Sequence, residues 1–417
     1  MVPCRYATAC PAAGVVRIAL DRSAHPVLVL DGNERAALAV TRALLRDGFA
    51  VSVVADRSWS LAGSARGARR WPLAVDPLRE PRAYAAAVAG IAARSGISLV
   101  IPVTDASADA LLGHRELLPA GVRLPFAMLD VYRAASDKVL VHEIASELGI
   151  GVAQSEVVAR HGDAAPTDAR LYPGVVKPHR SVVGVGERRK TGVRFVVDRA
   201  DCERVLQQLA PDAFPVLVQG RVLGPGEGVF LARWQGRTLA RFAHRRLREK
   251  PPAGGVSVFR ESIALAPDLL AACETLLDRL DWEGVAMIEG KRDLATGRWC
   301  VMEINGRFWG SLQLAIDAGV DFPALLAHAV LGGAPEPIPA WRPGVRLRWE
   351  WGDVDHLLIR LRRSREYLSL PASAPTRLQA VLAFLTNRPG RDRLEVFRLG
   401  DPLPFVVETL QRLGLAR

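Results

Sequence analysis

The sequence predicts an α/β fold, turning to α+β in its middle portion. Three observations carry this. Near the N-terminus, continuous Val/Ile/Leu runs alternate with segments of helical period, as in parallel strands covered on both faces. Further on, strand-like segments interleave apolar with polar residues, as in sheets with one wet face. A proline-rich segment, Gly332–Gly344, then marks a boundary near Ala340 and opens a basic tail that reads as helical.

Composition sets the outer limits. A hydrophobic fraction of 49% and a charged fraction of 24% are ordinary globular usage. No apolar run is long enough to span a bilayer, so a membrane partner is not expected. The net charge is +11, yet only five of the 55 basic residues are lysine, and the arginines are spread along the chain. Such a spread points to an arginine-biased coding background, and nucleic acid is disfavoured as the main partner. A basic cleft for a nucleoside triphosphate and an acidic substrate would also suit this charge. The five cysteines (4, 10, 202, 273 and 300) include no C-x-x-C pair. Reduced thiols in a cytoplasmic protein fit them best. Residues 1–25 read as a disordered leader.

In chain order, Pro26–Asp31 is the first apolar run. Asn33–Gly48 follows with helical spacing of Leu38 and Leu45, closed by Gly48. Phe49–Asp56 and Ser98–Asp105 are two further strand candidates. No G-x-G-x-x-G follows the first strand, which weakens any dinucleotide site. Asp31, Asn33, Thr104 and Asp105 stand where strand C-ends carry ligands, but each taken singly reads better as a turn or N-cap residue. Ser136–Gly149 reads as a capped amphipathic helix with Lys138 in its first turn. A cation is misplaced there unless an anion lies close by.

Tyr172–Pro178 is a strand carrying Lys177, followed by a segment rich in cations with Gly184 and Gly186. Glycines let backbone amides approach phosphate oxygens, and lysine adds a point charge. Phe214–Gly228 holds a strand with Gln219 and a turn ending at Glu227. Arg245, Arg246, Arg248 and Lys250 form a basic strand that runs into Pro-Pro-Ala-Gly-Gly. That pattern fits a phosphate and carboxylate clamp, or else a solvated edge strand. Asp268–Leu280 is an amphipathic helix.

The chemistry concentrates in Val285–Asp293 and Trp299–Gly319. A hairpin symmetric about Thr296 puts Glu289 directly opposite Glu303. Like charges in that position repel, and a divalent cation between them would convert repulsion into binding. Strand alternation puts Glu303, Asn305 and Arg307 on one face and Met302 and Ile304 on the other, with Cys300 facing away from Glu303. Two oxygen ligands and a guanidinium in a row suit a magnesium ion and the phosphates it bridges.

A carboxylate strand, a hairpin, then ExNxR and a glycine-containing helix resemble the ATP-grasp ligases. The run MEINGRFWGSLQLAIDAGVDFP is similar to the carbamoyl-phosphate-synthetase-like branch, and most of all to predicted ATP-grasp carboligases of unknown substrate. The resemblance spans roughly residues 26–333. It implies a Rossmann-like pre-ATP-grasp domain (26–125), a two-subdomain ATP-grasp domain (126–340, with its lid at about 172–222) and a C-terminal extension (341–417). It implies that Lys138, Lys177, Gly184, Gly186, Gln219 and Glu227 bind ATP, with Gln219 at the adenine edge and Glu227 on the ribose. Glu289, Glu303 and Asn305 would bind Mg²⁺, with Mn²⁺ as an alternative ion, and Arg307, Arg246 and Asn305 would act in catalysis. The implied activity is a carboxylate–amine ligase that forms an acylphosphate from a small-molecule carboxylate and passes it to an amine, releasing ADP and phosphate. Two alternatives stay open: a bicarbonate-dependent carboxylase or carbamoyl-phosphate-type enzyme, and a nucleotide-binding module without turnover. A homodimer is an open assembly state.

Overall fold

The computed structural model describes residues 20–184, 188–252, 254–368, 370, 374–386 and 392–415. The N-terminal apolar runs become a parallel sheet in the order Arg69–Pro72, Val51–Ala55, Val27–Val29, Leu99–Ile101. Both faces are covered, which is why Val27, Leu28 and Val29 are all fully buried. Helix Arg35–Arg46 packs on one side and helices Pro81–Arg94 and Asp105–Gly113 on the other. The segments that follow Val27–Val29 and the edge strand Leu99–Ile101 line a cleft, and there Thr104 caps the last of these helices by accepting from the Ser107 amide at 3.3 Å.

A small antiparallel sheet follows, in the order Arg194–Val196, Gly174–Pro178, Val216–Gly220, Ser155–Val158. Helix Arg199–Gln208 covers it, and Val158, Leu171, Val176, Cys202, Leu206 and Val218 form its own core. A two-stranded ribbon pairs Val182–Val183 with Arg189–Lys190. Gly184, which follows its first strand, has φ 110°, a conformation that side chains with a Cβ resist. Gly186 lies outside the described residues.

The large sheet has eight strands: Asp392–Leu394, Arg346–Arg348, Val256–Ser262, Arg237–Lys250, Gly226–Trp234, Gly284–Arg292, Trp299–Asn305 and Gly151–Val152. Its centre is antiparallel, as the interleaved patterns predict. The C-terminal extension carries the expected helices, Glu350–Arg362, Arg377–Leu385 and Leu403–Arg412. It also adds two strands to the edge of this sheet, Arg346–Arg348 and Asp392–Leu394. Phe230, Phe242 and Trp309 pack together in the core that joins the large sheet to the N-terminal helix Arg35–Arg46.

The hairpin register falls as the sequence indicates at its functional end, with Glu289 opposite Glu303. One residue further along, Gly290 pairs with Val301, so Met302 is an extra residue in its strand. This β-bulge changes the expected faces. Met302 joins Glu303 at the cleft, and Cys300 packs with Met302 and Ala153, while Ile304 stays in the core. Strict alternation does not foresee an inserted residue.

Candidate active site

One cleft of about 780 Å³ runs between the eight-stranded sheet, the N-terminal unit and the small antiparallel sheet. Its lining includes Lys177, Gln219, Arg246, Glu289, Glu303, Asn305 and Arg307. Lys138 reaches it from the side, with Nζ 3.3 Å from the Glu303 carboxylate. That carboxylate is the anion which the misplaced cation in the first helical turn calls for. The helix begins there because the Asp137 side chain accepts from the amides of Val139 and Leu140.

At the small-sheet end, Lys177 donates to Gln219 Oε1 at 2.7 Å and touches Met302 Sδ at 3.7 Å. Gln219 Nε2 meets His142 Nδ1 at 3.4 Å, and His142 Nε2 meets the Met302 carbonyl oxygen at 3.2 Å. These bonds are consistent with one tautomer, in which the Gln219 amide donates to Nδ1 and Nε2–H donates to the carbonyl. Burial pushes the His142 imidazole down to about 4, keeping it neutral for this role. His142 thereby satisfies a carbonyl on the bulged residue. Gln219 is buried, and its oxygen is already used by Lys177, leaving one lone pair for a ligand. Burial also brings the Lys177 ammonium down to about 8, against the opposing pull of Glu303.

At the carboxylate end, Glu303 would be raised by burial alone. Lys138 and Lys177, with the Asn305 amide, outweigh this and hold it at about 2. Asn305 Nδ2 donates to Glu303 Oε1 at 3.3 Å, and Arg307 Nη2 donates to Asn305 Oδ1 at 3.1 Å. Arg307 also pairs with Asp105 at 3.2 Å, which draws the N-terminal sheet into the site. Arg246 pairs with Glu289 at 2.6 Å and with Glu249 at 3.1 Å. The repulsion expected between Glu289 and Glu303 is therefore already answered by a cation on each. Hard carboxylate and amide oxygens on adjacent strands are the donor set that Mg²⁺ takes, so these residues fit that ion. Among the described residues, no group of three or more His, Cys, Asp and Glu side chains forms a metal centre.

Three of the four cations of the basic strand are turned to other tasks. Arg245 binds Glu261 at 2.7 Å, Arg248 binds the fully buried Asp353 at 2.6 Å, and Lys250 binds Asp355 at 2.8 Å. Arg246 is the one that enters the cleft, and bulges after it let Arg248 turn toward the extension.

Glu227 is not brought into the cleft. It pairs in the ladder with Gly290, whose neighbour Glu289 faces the other way, and Arg292 grips its carboxylate at 2.8 Å. The glycine-rich turn before it offers no signal of which face it takes, and this placement sets it apart from the residues that line the cleft. Asp31 is a structural cap: its carboxylate accepts from the amides of Val103 and Thr104 at 3.0 Å. Asn33 binds Asp56. Asp105 does line the cleft, as do Glu249, Lys291 and His244, which the sequence reading passed over as cleft residues. Alternation along the two strands, once Glu289 and Arg246 were placed, would have put Lys291 and His244 on the same face.

Residues 216–352 match the family model described as ATP-grasp in the biosynthetic pathway with Ter operon. No curated protein matches the chain. Among solved structures, a pyruvate carboxylase of Rhizobium etli superposes with TM-score 0.59 at 17% identity, over 77% of this chain but only 30% of that one. The L-amino acid ligase of Bacillus licheniformis gives TM-score 0.58 at 18% identity, over 77% of this chain and 78% of that one. The biotin carboxylase domain of a 2-oxoglutarate carboxylase from Hydrogenobacter thermophilus, solved with MgADP and bicarbonate, gives 0.57 at 14%, over 77% and 73%. Residues 216–352 are thus similar to an ATP-grasp family model, and about three quarters of the chain shares the fold of these solved structures.

Proposed function

We propose that the protein is an ATP-dependent ligase that activates a carboxylate as an acylphosphate and passes the acyl group to an amine. The observation that carries this is the row formed by Glu289 and Glu303 on adjacent strands, flanked by Lys138, Lys177, Arg246 and Arg307. The cleft offers oxygen ligands and fixed cations for phosphoryl transfer, which depends on positioning and charge more than on a protein nucleophile.

In this reading Lys177 and Lys138 hold the phosphates of ATP, and Gln219 presents its free lone pair to the adenine amino group. Glu289, Glu303 and Asn305 would hold Mg²⁺, which supplies charge neutralisation for the transferring phosphoryl group. Lys138 and Arg246, relieved of their carboxylates, are then free to meet phosphate oxygens. Arg307, oriented by Asp105 and Asn305, would meet the substrate carboxylate as it attacks the γ-phosphate. Its guanidinium stabilises oxyanion charge there and again when the amine attacks the acylphosphate. The ligase named among the structural neighbours supports the amine-coupled reading. No observation on the cleft favours bicarbonate over another carboxylate.

The test is ADP release with Mg·ATP over small carboxylates crossed with amines, with bicarbonate as a separate arm. Release that needs both a carboxylate and an amine is expected. Release with bicarbonate alone points to the carboxylase alternative, and failure of the protein to bind Mg·ATP at all sinks the assignment.

A further inference from the structure

The cations of the cleft differ in how they are neutralised. Lys138, Arg246 and Arg307 each pair with a carboxylate of the site, and Arg35 pairs with Glu395 at 2.7 Å. Two largely buried lysines on the cleft wall form no ion pair among the described residues. One is Lys177, bound to Gln219. The other is Lys291, whose ammonium has one hydrogen-bond partner, the Val222 carbonyl oxygen at 3.3 Å, and feels Glu249 and Glu289 from beyond ion-pair distance. A largely buried ammonium whose nearest carboxylates stand beyond ion-pair distance is incompletely compensated until an anion binds it.

The position of Lys291 says which anion. It follows Glu289 by two residues on the same strand and shares its face, so the two Cα atoms are about 7 Å apart. Val222 lies just past the strand that carries Gln219. Lys291 thus stands between the adenine end and the metal carboxylates. Across the ladder it faces Gly226, over which the Arg246 and Glu249 side chains lie. A nucleotide reaching from Gln219 to Glu289 lays its sugar and α-phosphate over this point. The acid expected to grip the sugar, Glu227, is on the opposite face and held by Arg292.

We propose that Lys291 binds the sugar–α-phosphate segment of the nucleotide, and that Glu227 takes no part in nucleotide binding. This rests on the nucleotide reading of the cleft. It makes phosphate charge the main grip on that part of the ligand. The contact is a charge-assisted hydrogen bond from Nζ, worth about tenfold or more in affinity when lost.

Calorimetric titration of the full chain with Mg·AMP-PNP is the test, on wild type, Lys291→Met, Lys291→Arg and Glu227→Gln. Lys291→Met is expected to weaken binding about tenfold or more, Lys291→Arg to restore most of it, and Glu227→Gln to stay within about twofold of wild type. The free Lys291→Met protein is expected to melt no lower than wild type, because it loses a largely buried charge that no ion pair holds. A purely structural lysine would show the opposite: a lower melting temperature and unchanged affinity once folded. Should Lys291→Met fail to fold, Lys291→Gln carries the same expectation. Equal affinity of wild type and the lysine variants overturns the inference while leaving the nucleotide site standing, as does a Glu227→Gln loss matching that of Lys291→Met. A wild type that binds no nucleotide overturns both.

Discussion

Glu303 is one residue with two opposed influences on it. Burial raises its carboxyl, and two lysines with an asparagine pull it down to about 2. From sequence alone, replacing it looks neutral or mildly stabilising to the metal-free protein, because it relieves a repulsion with Glu289. The Lys138 pair at 3.3 Å reverses that expectation. Glu303→Gln is now expected to lower the melting temperature at pH 7 and to cut ADP release by roughly a hundredfold or more, with a smaller loss of nucleotide affinity. The pH dependence has a definite sign. A carboxyl depressed in the fold contributes stability that is present above its unfolded value of about 4.5 and lost as pH falls toward 2. Wild type should therefore lose its margin over Glu303→Gln between pH 5 and pH 2, read by urea melts of both. Equal stability at neutral pH would refute the ion pair.

Lys177 gives a second prediction at this scale. Its ammonium sits near 8, lowered by burial, so it begins to lose its charge just above neutrality. Phosphate binds the charged form. Affinity for Mg·AMP-PNP should therefore fall above pH 8, by up to about tenfold per pH unit, until the pKa of the bound state is reached. Lys177→Arg cannot titrate in that range and should show a flat profile over the same span. Parallel slopes in titrations at pH 7.5, 8.5 and 9 would exclude Lys177 as the titrating contact.

At the scale of the element, the hairpin works through its bulge. The extra residue, Met302, lets consecutive side chains, Met302 and Glu303, both reach the cleft, and His142 takes up a carbonyl there. Gly290 sits at the shift in register. A Cβ at that position would come within 2.2 Å of the Trp299 ring and 2.8 Å of the Cys300 carbonyl oxygen. Neither can move far, since Trp299 is buried and Cys300 is in the ladder. Gly290→Ala is expected to cost about 1–3 kcal/mol by overpacking. It should also lower ADP release beyond what unfolding explains, because the carboxylate row is displaced. Urea melts and turnover on one preparation check both, and a variant as stable and active as wild type would show that the bulge does not set the row.

For the whole molecule, the extension is part of the large sheet and reaches back to the N-terminal unit. Glu395 neutralises both Arg35, on the first helix, and Arg260, on a central strand; Arg260 is wholly buried. Asp353 does the same for Arg248 and Arg348. Removing one member of such a group leaves buried cations without an anion, at a cost of about 3–5 kcal/mol. Glu395→Gln is therefore expected to lower stability by an amount in that range, although it lies outside the nucleotide and metal residues. Nucleotide affinity of the folded fraction should be nearly unchanged. A Glu395→Gln protein with the urea midpoint of wild type would show that the extension is an independent appendage.

Much of this architecture was legible in the chain. Continuous apolar runs specified the parallel sheet, because strands covered on both faces leave no polar position. Alternation and turn residues specified the hairpin, whereas the pairing of Glu289 with Glu303 depends on the bulge, since the register at the turn, Arg292 with Trp299, would by itself set Glu289 against Met302. Local chemistry also marked Lys138 as a cation in want of an anion. The tertiary structure decided what depends on packing across distant segments. It selected Arg246 from four cations, since strand parity and two bulges send Arg245, Arg248 and Lys250 to acids elsewhere. It turned Glu227 away, since a glycine-rich turn does not fix which face the next strand presents. It enclosed Lys291 and His244 in the cleft, and it supplied Glu303 with Lys138 from a helix far back in the sequence. A local pattern states which charges need partners, and only the folded chain brings a particular partner within a few ångströms.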